Sequence, residues 1–138
     1  MDEFILEILT PVRKYLSMKA ETIIVDTDDG QRSFYSKMYD LITPLKICPL
    51  TIKYRGHITN YAIGGGTLSI DSKRNTITIL VNSIESYKEI DESRAKANIK
   101  EAEKLKLEAV TKRDIIEAER KLLRSLNRLN VISNYKDF

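Results

Sequence analysis

The feature that most constrains this chain is a single change of hydrophobic period near Ser86. Before it, apolar residues come in short β-branched and aromatic runs, namely "FILEIL", "AETIIV", "SFYS", "LTIKY", "ITNYAI", "TLSI" and "TITILV". Turn signals separate them at Asp28-Asp29-Gly30, Arg55-Gly56, Gly64–Gly66 and the "DSKRN" of 71–75. Short strands at such spacing predict a sandwich or barrel, because each can bury one face only against another layer. "LTIKYRGHITNYAI" and "TLSIDSKRNTITIL" each read as a hairpin. Pro11, Pro44 and Pro49 are placed at run edges, where a missing N–H does least harm.

After Ser86 the spacing becomes helical. Ala95, Ile99, Ala102, Leu105 and Ala109 form one stripe, and Ile115, Ala118, Leu122, Leu126 and Leu129 a second. Thr111 followed by Asp114 gives an N-cap signal between them. So short a connection predicts an antiparallel helical hairpin. The expected architecture is therefore an antiparallel β-sandwich or barrel over 1–86 and a two-helix hairpin over 87–138.

The second helix poses an electrostatic problem. Arg120, Arg124 and Arg128 recur every four residues, and no carboxylate lies between residues 120 and 136. Each like-charge i,i+4 pair costs roughly 0.2–0.5 kcal/mol, although cations near a helix C-terminus recover about 0.3–1 kcal/mol from the dipole. An antiparallel hairpin brings Arg124 and Arg128 towards "EIDESRA" at 89–95, where Glu89, Asp91 and Glu92 can neutralise them. Arg94 adds a cation to the same end, so a triphosphate or an acidic partner segment is an equal alternative.

Composition excludes more than it selects. A net charge of +3 argues against a nucleic-acid-binding surface, and the candidate stacking residues Tyr35, Tyr54 and Tyr61 are scattered through a nearly neutral β region. One histidine, His57, and one thiol, Cys48, cannot assemble a zinc set or a Ser/His/Asp triad within one chain. "IGGGTLS" lacks the Lys-Ser/Thr ending of a phosphate loop, and "DTDDG" is off the register of a calcium loop. The glycines of "IGGGTLS" read instead as a bulge or as a place where the helical hairpin approaches closely. No catalytic site, metal site or membrane-inserting segment is expected. The lone cysteine and the acidic start, broken at Pro11, read as cytosolic.

Taken in order, "LEILTPVRKY", "LITPLKICPLTIKYRGHITNYAIGGGTLSI" at 41–70, "NTITILVNSIESYKEIDESRAKA" at 75–97 and "RSLNRLNV" at 124–131 resemble the epsilon subunit of bacterial F-type ATP synthases. The resemblance implies a non-catalytic rotor-stalk subunit. Its sandwich would bind the gamma subunit and the membrane rotor ring, and its movable helices would inhibit ATP hydrolysis in the alpha/beta head. It implies a peripheral position on the cytoplasmic face of the cell membrane. Arg113, Arg120, Lys121, Arg124 and Arg128 would then meet an acidic segment of the beta subunit. Some members bind ATP through an Ile/Leu-Asp-x-x-Arg-Ala motif; here Ile90, Asp91, Arg94 and Ala95 match it. Glu85, Arg124 and Arg128 match further positions of that site, so ATP is a possible regulator rather than a required cofactor. Glu101, beside Lys100, stands where the family site has a further basic residue. The segment "SFYSKMYDLITPL" at 33–45 departs from the family's glycine- and proline-rich loop, at Ser36, Lys37, Met38 and Tyr39. Ring docking is therefore the least secure expectation, and a specialised F-type-like ATPase without the usual ring is the alternative.

Overall fold

The computed structural model describes residues 2–136, with the side chains of 134–136 excluded. Met1 and residues 137–138, the outer ends of the two expected segments, lie outside the described residues. Eight strands precede two helices: β1 (Phe4–Leu9), β2 (Lys14–Ala20), β3 (Thr22–Thr27), β4 (Gly30–Tyr35), β5 (Leu41–Tyr54), β6 (His57–Asp71), β7 (Thr76–Val81), β8 (Ile84–Ser86), α1 (Glu92–Glu108) and α2 (Lys112–Lys136). The sheet order is β2-β1-β7-β6-β5-β3-β4, and β8 pairs with β6.

Both expected hairpins form, with Tyr54 opposite His57 and Asp71 opposite Thr76. Alternation does its usual work here: Phe4, Leu6 and Ile8 point inwards from β1, and Ile77, Ile79 and Val81 from β7. With Ile23, Val25, Phe34, Leu50, Ile52, Ile63 and Leu68 they form one continuous core. Each such fully buried side chain contributes about 1.5–3 kcal/mol relative to exposure.

Four details differ from the sequence reading. β1 runs parallel to β7, so the sandwich is not wholly antiparallel; a two-residue alternation carries no information about neighbour direction. β2, "KYLSMKA", carries no strong apolar run because it is an edge strand with most side chains at least partly exposed. β5 continues through Pro44 and Pro49. Residues 46–50 have no partner on β3, and Pro44 lies just past the last β3 pair at Leu45, so neither proline need interrupt that ladder.

The fourth concerns Gly64–Gly66, which is not a turn between strands but the middle of β6. Here β6 changes neighbour, from β8 at Tyr61–Ile63 to β7 at Gly66–Asp71. A Cβ on Gly66 would overlap the Leu80 carbonyl, and one on Gly64 the Ser83 hydroxyl, while Gly65 has φ +87. The close approach these glycines permit is thus chiefly that of the strand leaving β7. The hairpin lies nearby, but the crowding atoms are not its own.

Candidate functional site

α1 begins at a capping residue that the sequence reading does not single out as one. Asp91 is its N-cap and accepts the Arg94 amide at 3.1 Å. Thr111 caps the second helix by accepting the Asp114 amide at 3.1 Å. Ala95, Ala102 and Ala118 are buried in the hairpin, their small side chains allowing close packing. Leu105 and Leu126, expected in the stripes, are 43% and 46% exposed. Cross-hairpin ion pairs Lys121–Glu101 at 2.9 Å and Lys106–Glu119 at 3.6 Å lie along the rim.

α2 lies on the sandwich against β5 and β6. The contact is polar at its centre. Buried Asn127 donates through Nδ2 to the carbonyls of Cys48 at 2.9 Å and Ile63 at 3.3 Å, residues paired across β5 and β6. One residue on, Arg128 Nε meets Glu85 Oε1 at 2.6 Å, both half-buried. Ser125 is fully buried, and its hydroxyl has no hydrogen-bond partner among the described residues. Among the described residues no helical one joins the main apolar core, although Val131 on α2 is itself buried. Sequence periodicity missed Ser125 and Asn127, because polar residues between leucines read as solvent-facing.

The arginine problem is resolved unevenly. Arg128 is neutralised by Glu85, not by Glu89, Asp91 or Glu92. Those three are otherwise engaged: Glu89 accepts from Tyr15, Asp91 caps α1 and Glu92 pairs with Lys96. Among the described residues no carboxylate oxygen lies within 4.0 Å of Arg120 or Arg124. Arg113 pairs with Glu117 in its own helix at 3.4 Å.

The two larger of the clefts that Arg128 lines differ in character. One, about 350 Å³, is lined by Glu85, Glu89, Asp91, Arg94, Ala95, Asn98 and Arg128. It gathers most of the residues expected to hold ATP; Ile90 and Arg124 do not line it. The other, about 620 Å³, places Arg120, Arg124 and Arg128 opposite Gly64–Gly66, Asn82 and Ser83, with no carboxylate in its wall. The first has the mixed polarity that a base and sugar need. The second combines three guanidinium groups with neutral polar side chains and apolar surface.

Other titratable groups are structural. Burial pushes the Cys48 thiol up to about 11. Tyr15 is raised above the usual phenol range, by burial first and then by its bond to Glu89. Glu89 is held below the usual carboxylate value by the Tyr15 hydroxyl and then by the Ser86 amide.

At the end of the sandwich formed by the divergent loop, Lys37 has φ +62, and Asn75 Oδ1 accepts from the Ser36 hydroxyl and the Lys37 amide, both at 3.2 Å. Asp40 accepts the Ser72 amide at 2.8 Å. The loop is therefore fastened to the β6–β7 turn.

Residues 3–87 match the family model for the ATP synthase delta/epsilon chain β-sandwich domain, and residues 88–133 that for its long α-helix domain. An ATP synthase epsilon chain from Caldanaerobacter subterraneus subsp. tengcongensis is 36% identical over 135 residues, covering 97% of this chain and 96% of that one. A chloroplastic epsilon chain from Chara vulgaris is 35% identical, covering 93% and 95%. The fold also matches a chain in the Euglena gracilis mitochondrial ATP synthase, a structure of OSCP, F1 and c-ring, with a TM-score of 0.82 at 17% identity, covering 94% of this chain and 81% of that one. With both domain models matched in order and full-length relatives above 30% identity, the chain belongs to the epsilon-chain family of F-type ATP synthases.

Proposed function

We propose that this chain is a non-catalytic central-stalk subunit of an F-type ATP synthase, its sandwich fixed to the gamma subunit and rotor ring and its hairpin a movable brake on hydrolysis by the alpha/beta head. It sits peripherally, as part of the complex, on the cytoplasmic face of the cell membrane. Among the described residues no helix is long and apolar enough to cross a membrane.

The observation that carries the moving part of this reading is the composition of the docking contact. α2 is held by Asn127 and the Arg128–Glu85 pair around an unsatisfied Ser125, outside the sandwich's apolar core. A contact of this kind is worth a few kcal/mol, within reach of competing ligands; moving a two-state equilibrium from 1:99 to 99:1 needs about 5.5 kcal/mol of differential binding. Among the described residues Arg120 and Arg124 meet no carboxylate in the docked form, and so they are the first cations available to an acidic beta segment. Arg128 becomes available only when it leaves Glu85, and Lys121 when it leaves Glu101.

ATP held between Glu85, Asp91, Arg94 and Arg128 would tie β8, α1 and α2 together and favour the docked form. The loop at 36–40 lies at the end of the sandwich that the family resemblance assigns to ring docking, and its departure from the family pattern makes that contact the one to test. A complex that purifies without a proton-conducting ring would favour the specialised ATPase instead.

The test is copurification and hydrolysis. The chain should capture a gamma subunit with the alpha/beta head, truncation after Ser86 should keep gamma, and truncation should raise ATP hydrolysis. Loss of gamma on truncation, or hydrolysis unaffected by the helices, would overturn the division of labour. For the nucleotide, equilibrium dialysis should show ATP bound by the full chain and lost in Arg94→Ala; no binding at millimolar ATP removes that role.

A further inference from the structure

The sandwich and hairpin are joined by residues 87–91, and this linker is not slack. Glu89 reaches back across 74 positions of sequence to accept the Tyr15 hydroxyl at 2.7 Å. The same carboxylate oxygen accepts the Ser86 amide at 3.2 Å, and the Glu89 amide donates to the Ser86 carbonyl at 3.0 Å. Tyr87 donates its amide to Asn60 on β6 at 3.3 Å. Tyr15 is itself immobilised: its ring meets Tyr61 edge-on at 6.2 Å, and the Arg13 guanidinium lies 5.9 Å from its centroid. β2, an edge strand, thus carries a phenol that donates to the linker carboxylate of Glu89.

We propose that the Tyr15–Glu89 contact is a strap that fixes the pivot of the hairpin at Ile90–Asp91 and so limits how far the start of α1 can travel when α2 leaves the sandwich. The proposal goes beyond the brake itself but rests on the hairpin being able to undock. An extended chain spans about 3.3–3.6 Å per residue. With the strap closed, the two residues Ile90 and Asp91 give the first helix a tether of roughly 7 Å. With it open, and the two Glu89–Ser86 bonds loosened in turn, residues 88–91 give roughly 14 Å. Tyr15 is therefore a positioning residue: it meets no proposed ligand, yet it sets the volume in which α1 and its arginine-bearing partner can search. The lowered protonation point of Glu89 agrees with a carboxylate held by donors. Glu89 also lines the smaller cleft, so the strap keeps Asp91 in register with Glu85 there.

The experiment uses the full chain and Tyr15→Phe, which keeps the ring against Tyr61 and removes only the hydroxyl. Residue-resolved amide exchange should show Ser86 and Glu89 about tenfold faster in Tyr15→Phe, the loss expected of one charge-assisted hydrogen bond, with Leu68 in β6 unchanged. In Asn127→Ala, where α2 is weakened, Ser86 and Glu89 should stay protected while α2 amides open. Spin labels at Ser17→Cys and Ser93→Cys in the Asn127→Ala background should give a narrow distance distribution that broadens when Tyr15→Phe is added. Unchanged Ser86 and Glu89 rates in Tyr15→Phe, or their loss of protection together with α2 in Asn127→Ala, would overturn the strap. Should α2 stay closed in Asn127→Ala, the brake reading is what fails, and the Tyr15→Phe rates still decide the strap.

Discussion

Replacing Asn127 by alanine should undock the hairpin without unfolding the sandwich. The side chain spans paired residues of β5 and β6, donating to Cys48 and Ile63 from a position only 8% exposed. Two neutral hydrogen bonds are worth about 1–3 kcal/mol together. Alanine returns about 0.5 kcal/mol through its better helix propensity. The net loss, about 0.5–2.5 kcal/mol, corresponds to a roughly 2- to 70-fold shift from docked to undocked. Because these carbonyls belong to strands whose own ladder remains intact, the sandwich should keep its unfolding midpoint. The assay is a distance distribution between labels on β2 and α2, read beside thermal unfolding of the sandwich. An unchanged distribution, or a sandwich that melts earlier by the same free energy, would refute the argument that Asn127 acts on docking alone.

Ser125→Ala should move the same equilibrium the other way, since it deletes a buried hydroxyl without a partner, worth about 1–3 kcal/mol; a shift towards the undocked form would show that the hydroxyl is satisfied. Arg120→Ala with Arg124→Ala should leave the docked population of the isolated chain nearly unchanged, because among the described residues neither pairs with a carboxylate, but should slow inhibition of hydrolysis in the complex; Arg128→Ala should alter both. Gly66→Ala should destabilise the sandwich, its Cβ overlapping the Leu80 carbonyl, and chemical denaturation would reveal it. The Glu89 contact should depend on acidity: its folded protonation point is lowered, so its contribution is complete above the unfolded carboxylate value of about 4.3 and is lost as pH falls through the folded one. Amide exchange at Ser86, corrected for intrinsic rates, should report that loss as the pH falls below the unfolded carboxylate value.

What the sequence disclosed, and what it hid, follows from the range of the interactions. Strands such as β1 and β7 were legible because alternation is local, and the Thr111 cap because it spans three residues. β2 was not, since its residues are specified by a neighbour rather than by burial. Gly64–Gly66 looked like punctuation because a partner switch within one strand and a turn between two make the same demand on side-chain size. At the site, Glu85, Asp91, Arg94 and Arg128 were found through family resemblance, and the structure brings them to one cleft. Asn127 and Tyr15 escaped notice because their partners lie 64 to 79 residues away, and two of them are backbone carbonyls that no sequence motif marks.

The continuity of β5 and β6 has a mechanical consequence. Each runs unbroken for 14 or 15 residues, and the two are paired along nearly their whole length. A twisting load applied to one end of the sandwich therefore reaches the other through covalent backbone and ladder hydrogen bonds, not through sliding side chains. Such a block transmits torque with little compliance, and whatever elasticity a rotating assembly needs must reside in its neighbours.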